Sequence, residues 1–463
     1  MSNYYDGLNE KLLAAVPPRA RRVLELGCAN GRLGRRYKES YPATEWCGVE
    51  MSRTAADAAA SHLDRVFCMD IDQGDLRSVG RDYDVVVIGD LLEHLREPER
   101  MLETLHDLTS ADATVVCCIP NMAHLSVVQR LVAGDISYDD VGLLDRTHTR
   151  FFSQPSAFKT FLDGGWLPHL QDAYRVEVAP TGFAAHIIQA AEALGVPRAT
   201  AIRNLGLYQM IVVCRKWSIQ QLLKPGRKMP FSVIVPVNKP WQHDLNVARS
   251  PGLQEVGAEV ICITGADSAA AAYAAGAARA THDWRILAHQ DVYFPRGSGL
   301  QIAQQFGWLD ELGLREAPAG FAGLQPARNP KTGLEVEYAG MVIDRTALFD
   351  HGTSDGAISM DEFAVAIHRD CAVSIDEELG WHLWATDLCL QALGLGQRKW
   401  VPRILQVPLF HNSLNDYSLP AAFHQSAERL LAKYPQWARI STLCGELTRA
   451  PQYESQGELQ LAS

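Results

Sequence analysis

The chain has 463 residues, a formal net charge of −11, 47% hydrophobic residues and 21% charged residues. This length predicts two or three domains, and the composition is that of a soluble globular protein. The acidic balance, with no long Lys/Arg run to offset it, argues against a general affinity for nucleic acid or for anionic membranes.

The cysteines and the N-terminal segment indicate the compartment. There are ten cysteines, none of them forms a C-x-x-C pair, and most lie inside apolar runs. This pattern favours buried free thiols in a reducing cytosol over a disulfide framework or a zinc site. The N-terminus has no apolar signal core, and no stretch approaches the roughly 20 apolar residues of a membrane-spanning helix. We therefore expect a cytoplasmic protein without a transmembrane segment.

The first half of the chain alternates short apolar runs with amphipathic stretches such as "PERMLETLHDLT". Strand–helix alternation predicts an α/β fold with a mainly parallel sheet and helices on both faces. The predicted strands are residues 22–26, 46–50, 65–69, 84–88, 114–119 and 208–215.

A seam follows at "KWSIQQLLKPGRKMP", where Pro225-Gly226 and four cations indicate a linker. The alternation then restarts with "FSVIVPV", "EVICIT", an Ala-rich helix over residues 267–280 and "WRILAHQDV", which predicts a second α/β unit. The predicted organisation is a first domain at residues 1–216, a linker at 217–230, a second domain at 231–450 and a tail at 451–463.

Polar residues follow the predicted strands of the first half. "VLELGCANGRLG" runs from a strand into a turn with Gly27 and Gly31, which permit a tight turn and close approach of a ligand to the backbone. The helix start behind it offers free N–H groups to an anionic ligand atom. Glu50 ends the next strand, where an acid can accept two ribose hydroxyls. Asp70 ends the third strand, where it can bind an adenine amine, and Asp90 ends the fourth.

These glycines are spaced G-x-x-x-G rather than G-x-G-x-x-G. "ELGCANGRLG" and "DVVVIGDLLEHLREPERML" resemble two motifs of the class I S-adenosylmethionine (SAM)-dependent methyltransferases. "LLDRTHTRFFS", after "IPNMAHLSV", is similar to a methyltransferase branch common in bacterial surface-sugar gene clusters. The resemblance covers residues 20–216.

The resemblance implies a Rossmann-like methyltransferase domain with SAM as its cofactor. Gly27, Ala29 and Gly31 would lie against the methionine portion. Glu50 would bind the ribose and Asp70 the adenine, while Asp90 would line the pocket mouth.

Methyl transfer to a hydroxyl also needs a group that accepts the hydroxyl proton. His94, His124 and His148 are the candidates. We favour His148, because "DRTHTRFF" combines charge and aromatic residues after the fifth strand, where substrate loops usually lie. A surface or hydrogen-bonded structural role remains the commoner use of each histidine.

In the second half, "WRILAHQDVYFP" is an apolar run that ends on His289-Gln290-Asp291. With "SVIVPVN", "RSPGL" and "YAAGAARA", it resembles a GT-A glycosyltransferase-like subfamily whose hallmark is H-Q-D-V. In GT-A enzymes an acid at this strand end holds a divalent cation that neutralises the diphosphate leaving group. The resemblance therefore implies that Asp291 binds Mn²⁺ or Mg²⁺, and that His289 contacts the substrate.

Two later segments extend this resemblance. "SIDEELGWHLWATDLCLQALGLG" is similar to the acceptor-side segment of the subfamily, which implies substrate contacts for Trp381 and His382 and a general-base role for Asp387. "VPLFHNS" is similar to its late histidine segment, which implies that His411 completes the metal site.

The second half also departs from this family. It has no D-x-D, and Tyr273 is followed by Ala-Ala-Gly where the subfamily usually carries Asn-x-Gly. Two hypotheses therefore stay open. One is a bifunctional enzyme of glycan or glycosylated-metabolite biosynthesis, which uses a nucleotide-sugar donor and a glycan or small-molecule acceptor and associates peripherally with a glycan-assembly complex. The other is a methyltransferase with a degenerate, carbohydrate-binding C-terminal domain. An oxidoreductase is disfavoured because G-x-G-x-x-G is absent.

Overall fold

The computed structural model describes residues 7–217, 228–329, 333–415 and 419–449. The chain divides into two compact units: Met1–Ser218 with Leu414–Asp416, and Ile219–Ser413 with Tyr417–Ser463. Most of the predicted linker and the predicted tail lie outside the described residues. Among the helices of the described ranges, none is long and apolar enough to cross a membrane.

The first unit contains seven strands and eight α-helices among its described residues. The strands are β1 Arg22–Leu26, β2 Glu45–Glu50, β3 Arg65–Cys68, β4 Tyr83–Gly89, β5 Thr109–Pro120, β6 Trp166–Arg175 and β7 Leu207–Lys216. The helices are α1 Glu10–Ala15, α2 Arg32–Ser40, α3 Arg53–Ala59, α4 Pro98–Leu108, α5 Leu125–Val132, α6 Gln154–Asp163, α7 Gly182–Ala193 and α8 Arg198–Gly206.

These strands form one sheet in the order β3-β2-β1-β4-β5-β7-β6. The first five strands are parallel, whereas β7 is antiparallel to β5 and to β6. The structure contains all six strands that the apolar runs predict. It adds β6, an edge strand whose sequence "WLPHLQDAYR" mixes polar residues and a proline into the run, as edge strands tolerate.

The parallel register decides where the functional residues lie. β1 pairs with β2 and with β4, so the loops after these strands emerge at one edge of the sheet. Gly27, Glu50, Asp70 and Asp90 directly follow or end β1, β2, β3 and β4, or lie within two residues of their ends. The sheet therefore brings residues that are far apart in sequence to a common edge.

A buried acid lies inside this sheet. Glu25 on β1 is 6% exposed, and its Oε2 accepts a hydrogen bond from the indole Nε1 of Trp46 at 2.8 Å. Burial raises the pKa of Glu25 to about 8, although the Trp46 hydrogen bond opposes this shift, and the charge of Glu50 adds to it. Folding therefore favours the protonated carboxyl.

Replacing Glu25 by Gln should stabilise the first unit at alkaline pH. The carboxyl ionises near pH 4.5 in the unfolded chain and near 8 in the folded one. The free energy of unfolding of the wild type therefore falls as the pH rises from 4.5 to about 8, and this loss is complete above about 8. Gln retains an acceptor for Trp46. Thermal unfolding at pH 9 should show Glu25→Gln more stable by a few kcal/mol, with a difference below about 1 kcal/mol at pH 5. An equal effect at both pH values would contradict a raised pKa.

The second unit contains fourteen strands and six α-helices among its described residues. The strands are β8 Phe231–Pro236, β9 Glu259–Ile263, β10 Trp284–Ala288, β11 Val292–Tyr293, β12 Ala319–Gly320, β13 Ala322–Asn329, β14 Gly333–Asp344, β15 Ala347–Asp350, β16 Ser359–Met360, β17 Ala364–His368, β18 Arg403–Ile404, β19 Leu409–His411, β20 Arg439–Thr442 and β21 Gly445–Thr448. The helices are α9 Pro240–Leu245, α10 Pro251–Glu255, α11 Ala269–Ala277, α12 Ser298–Glu311, α13 Trp384–Gly394 and α14 Ala421–Lys433.

Two six-stranded sheets and a two-stranded sheet of β20 and β21 build the described part of this unit. One has the order β18-β12-β17-β10-β8-β9, with β10, β8 and β9 parallel and β17 antiparallel to β10. The other has the order β11-β19-β14-β13-β16, with β15 beside β14. The chain passes from β10 of the first sheet to β11 of the second through His289, Gln290 and Asp291, and β11 pairs with β19 at Val292↔His411. This crossing brings Asp291 close to His411.

Candidate functional site

The turn after β1 is tight because three of its residues have left-handed backbone conformations. The φ angles are 73° at Gly27, 47° at Ala29 and 76° at Gly31. The N–H groups of Gly27 and Cys28 both donate to the carbonyl of Val49, at 2.8 and 3.1 Å. The turn is therefore fastened to β2, and its backbone faces the edge of the sheet.

Glu50 fastens the same turn from the other side. Its Oε2 accepts from the N–H of Ala29 at 3.0 Å, and its Oε1 accepts from the N–H of Ser52 at 2.8 Å. The side chain is 6% exposed. Each carboxylate oxygen has a second lone pair, so Glu50 can accept two further hydrogen bonds from a ligand.

A cavity of about 890 Å³ opens at this edge. It is lined by Gly27, Ala29, Val49, Glu50, Met51, Met69, Asp70, Ile71, Asp72, Gly89, Asp90, Leu91, Glu93, His94, Leu95, Arg96, Pro120, Asp140, Gly142, Leu143, Asp145, Arg146, Thr147, His148, Thr149, Tyr208 and Gln209. The volume is that of a site for a small-molecule ligand. Seven of the lining residues are carboxylic acids and two are arginines, which favours a cationic ligand.

Five of the six residues predicted to bind the cofactor line this cavity. The sixth, Gly31, is not among the described residues that line it. A Cβ added to Gly31 would meet the backbone of Ala59 and the side chain of Leu63 at 3.1 Å. Gly31 therefore allows the start of α2 to pack closely against the chain around α3. Its role is in the packing of the turn rather than at the cavity wall.

The remaining acids of this edge have distinct environments. Asp90 has a φ of 47° and accepts a hydrogen bond from the Nε2 of Gln209 at 2.7 Å. Burial raises its pKa, against the effect of this hydrogen bond. Asp70 is exposed, and its Oδ1 accepts from the N–H of Asp72 at 3.0 Å. Both carboxyls reach the cavity from strand ends, as the sequence predicts.

Glu93, His94 and His148 form another part of the cavity lining. The segment with His148 is held against the segment with Glu93, because the N–H groups of Thr149 and Arg150 both donate to the Glu93 carbonyl, at 2.9 and 3.0 Å. The two imidazole rings are 4.9 Å apart between centroids in an edge-to-face arrangement. Two histidines 54 positions apart in sequence thus become neighbours.

The free ring nitrogens of these histidines can be assigned. The Nδ1 of His148 lies 3.2 Å from the Leu143 carbonyl, and the Nδ1 of His94 lies 3.2 Å from the Thr147 carbonyl. Because a carbonyl only accepts, each Nδ1 carries the proton and each neutral ring has its lone pair on Nε2. Burial lowers the pKa of His148, and the charge of His94 lowers it further. The neutral form of His148 is therefore favoured.

Glu93, the acid directly before His94 in "DLLEHL", is a site residue that the sequence patterns did not predict. Glu93 is 1% exposed, and its pKa is raised well above the usual value by burial and by the charge of Asp90.

His124, the third candidate histidine, caps α5: its Nδ1 lies 2.8 Å from the Ser126 hydroxyl, and it is not among the described lining residues. His124 therefore has a structural role in the helix start.

The second unit has its own cluster, formed by His289, Asp291 and His411. One donor atom from each lies within 4.8 Å of the others. The Nε2 of His411 is 3.6 Å from an oxygen of Asp291, and its Nδ1 is 2.9 Å from an oxygen of Asp344. Asp344 is a further partner that the sequence patterns did not predict. It lies beside His411 because β14 pairs in parallel with β19.

Charge attraction dominates this cluster. Burial by itself would lower the pKa of His411, but the hydrogen bonds and charges of Asp291 and Asp344 raise it to about 10. Burial would likewise raise the pKa of Asp291, but His411 outweighs it and lowers the value to about 2. Asp344 also orients the imidazole so that Nε2 faces Asp291. An oriented histidine with a carboxylate and a second histidine is a donor set that fits a divalent metal ion.

Asp387 lies elsewhere, in a hydrogen-bonded network of its own. Its side chain is fully buried, and its oxygens accept from the Nε2 of Gln391 at 2.6 Å, the Nζ of Lys433 at 2.9 Å and the hydroxyl of Tyr434 at 2.7 Å. These contacts tie α13 to α14. They fit a structural ion pair better than the predicted general base.

The two other predicted substrate residues are near α13. Trp381 is 38% exposed, and the ring of His382 lies 5.9 Å from the ring of Phe423. An exposed tryptophan can stack on a sugar ring, whereas the contact of His382 is with an aromatic residue of α14.

The sequence model of a protein family described as "Methyltransferase domain" matches residues 24–115, from within β1 to within β5. The first unit carries a methyltransferase domain. This family match supports SAM as its cofactor, and it ends before the second unit begins. No curated protein matches the chain.

Several solved structures resemble part of the chain. A SAM-dependent methyltransferase from Archaeoglobus fulgidus is 17% identical, with 46% of this chain and 96% of that chain covered and a TM-score of 0.33. One from Mesorhizobium loti is 18% identical, with 46% and 100% covered and a TM-score of 0.31. The Burkholderia thailandensis 1,6-didemethyltoxoflavin-N1-methyltransferase, solved with bound 1,6-didemethyltoxoflavin and S-adenosylhomocysteine, is 17% identical, with 45% and 76% covered and a TM-score of 0.29.

Proposed function

We propose that the first unit transfers a methyl group from SAM to a hydroxyl of a sugar-like acceptor. One observation carries this proposal: the lining of one cavity includes both the turn after β1 with Glu50 and the cluster of Glu93, His94 and His148. The first group suits the cofactor, and the second, the acceptor side of the lining, suits an acceptor hydroxyl. The sugar-like acceptor rests on the resemblance of "LLDRTHTRFFS" to surface-glycan methyltransferases.

In this proposal the cofactor binds through groups already oriented by the fold. The backbone of Gly27 and Ala29 contacts the methionine portion, and Glu50 accepts hydrogen bonds from the ribose hydroxyls with its two unused lone pairs. Asp70 binds the adenine amine, and Asp90 lies at the cavity mouth. The acidic lining also favours a ligand with a sulfonium charge.

Bound SAM supplies an electrophilic methyl group. The protein then aligns the acceptor oxygen with it and helps to remove the hydroxyl proton. His148 is the residue that we assign to proton removal, because its Nε2 carries a lone pair and its ring is fixed by the Leu143 carbonyl.

Replacing Glu50 by Ala should weaken S-adenosylhomocysteine binding at least ten-fold in isothermal titration calorimetry. The change removes the ribose acceptor and also releases the N–H of Ala29 that shapes the turn. Glu39→Ala is the matched control, since Glu39 is an exposed acid of α2 that pairs with Arg36. Wild-type affinity in Glu50→Ala would contradict the proposed pocket.

For the second unit we propose glycosyl transfer from a nucleotide-sugar with a divalent cation at His289, Asp291 and His411. The position of Asp291 three residues after the end of β10, next to a histidine that Asp344 orients, supports this proposal. The two nitrogen donors favour Mn²⁺ over Mg²⁺. Trp381 is available for stacking on a sugar, and acceptor activation is not assigned to Asp387 because of its contacts. A carbohydrate-binding module without turnover is the alternative.

Replacing Asp291 by Ala should abolish Mn²⁺-dependent binding of uridine or thymidine diphosphate, measured by calorimetry with and without the ion. The carboxylate contributes the negative charge that holds the cation. Asp283→Ala is the control, because Asp283 directly precedes β10 at its other end and pairs with Arg369 at 2.9 Å. Unchanged binding would remove the role of Asp291. A wild type that binds neither diphosphate would favour the carbohydrate-binding module.

A further inference from the structure

The acceptor side of the methyltransferase cavity combines two histidines and one acid in a form that suits a cation. One donor atom each from Glu93, His94 and His148 lies within 4.8 Å of the others. All three residues line the 890 Å³ cavity. The cluster therefore opens to the space in which an acceptor would bind.

Both histidines are oriented as metal ligands usually are. Each ring is held by a hydrogen bond from Nδ1 to a backbone carbonyl, Thr147 for His94 and Leu143 for His148. Such contacts fix the tautomer and direct the Nε2 lone pair, which is the role of outer partners in metal sites. The Asp145 side chain supports the arrangement, because its Oδ1 accepts from the N–H and the hydroxyl of Thr147 at 2.8 and 2.6 Å.

An unpaired oxygen provides an independent observation. The Oε2 of Glu93 is buried, and no group among the described residues forms a hydrogen bond with it. Its Oε1 lies 4.0 Å from the Nε2 of His148, which is too far for a hydrogen bond. Two ligand atoms at about 2.1 Å from a shared ion lie about 4 Å apart when they are on nearly opposite sides of it. The separation therefore leaves room for one ion between the Oε1 of Glu93 and the Nε2 of His148.

The charges around the cluster favour a cation. Asp90 and Asp145 add negative charge around Glu93. Arg146, one of the two arginines that line the cavity, pairs with Asp140, so its positive charge is already matched by that acid. A divalent ion would compensate this concentration of charge.

We propose that Glu93, His94 and His148 bind a divalent cation, and that the cation holds two adjacent hydroxyls of the acceptor next to the cofactor. This inference rests on the proposed methyl transfer and specifies the acceptor class, a vicinal diol. Two imidazole nitrogens and one carboxylate oxygen suit Mn²⁺, Co²⁺ or Zn²⁺ better than Ca²⁺. Three protein ligands leave open coordination positions for the two hydroxyls.

With the cation bound, the Nε2 lone pair of His148 serves as a ligand, so the cation replaces His148 as the group that activates the acceptor hydroxyl. A bound divalent ion lowers the pKa of an oxygen that it contacts, so the hydroxyl proton can pass to water. The O–H bond breaks, the acceptor oxygen forms a bond to the methyl carbon, and the C–S bond breaks to leave S-adenosylhomocysteine. His148 then acts as a ligand that positions the ion.

Mn²⁺ binding to the full chain tests this inference. After dialysis against a chelator, the protein is titrated with Mn²⁺, and the free ion is followed by its electron paramagnetic resonance signal. We expect Glu93→Gln to weaken one binding site at least ten-fold, and Asp291→Ala in the second unit to leave that site intact. Glu97→Gln is the matched control, because Glu97 is a nearby exposed acid that pairs with Arg100. Equal Mn²⁺ binding in Glu93→Gln and wild type would overturn the proposal.

Two further measurements separate the possible failures. His94→Ala replaces a partly exposed ligand and should reproduce the Mn²⁺ defect if Glu93→Gln does not fold; normal Mn²⁺ binding in it would overturn the proposal. S-adenosylhomocysteine binding is measured in the same samples without Mn²⁺ and should be unchanged in both variants. If the wild type does not bind S-adenosylhomocysteine, the proposed methyltransferase pocket is contradicted. If it binds S-adenosylhomocysteine but lacks the Mn²⁺ site, only the proposed cation site is contradicted.

Discussion

The carboxylate of Glu50 is the contact on which the geometry of the first unit depends. It accepts hydrogen bonds from Ala29 of the turn after β1 and from Ser52 after β2, so it joins two consecutive strand ends. The turn has left-handed residues, and this contact adds to the hydrogen bonds that Gly27 and Cys28 donate to Val49. By fixing the turn, Glu50 also fixes one wall of the cavity. The parallel register of β1, β2, β3 and β4 places the other strand ends at the cavity, and the segment 140–149 and β7 complete its lining.

The second unit uses a similar device at another strand end. His411 lies between the carboxylates of Asp291 and Asp344, which come from different strands or loops. In each unit, a charged side chain from one strand end is held by groups of another segment. Strand ends in α/β sheets are suited to this, because the backbone there is no longer paired within the sheet and can face a ligand.

The sequence predicted the elements whose signal is local. The apolar runs predicted β1 to β5 and β7, and the position of acids after strands predicted that Glu50, Asp70 and Asp90 share one edge. The apolar pattern did not predict β6, because this edge strand carries polar residues and Pro168 within its apolar run. The antiparallel place of β7 between β5 and β6 depends on pairing between distant segments, which the periodicity of one segment does not encode.

The parts of the site that the sequence did not predict also depend on contacts between distant segments. Glu93 becomes part of a cluster through His148, which is brought to it by the hydrogen bonds of Thr149 and Arg150. Asp344 becomes a partner of His411 only through the pairing of β14 with β19. The general-base role of Asp387 stays a prediction, because a buried acid at a helix start has the same sequence pattern whether it is a base or part of an ion pair.

A crystal structure with S-adenosylhomocysteine tests the central claim most directly. The claim is that Glu50 shapes the turn after β1 and binds the cofactor in the same geometry. We predict that the ribose hydroxyls will lie within hydrogen-bond distance of both Glu50 oxygens, while the N–H of Ala29 still donates to this carboxylate. A nucleoside bound elsewhere, or with its ribose away from Glu50, would contradict the account.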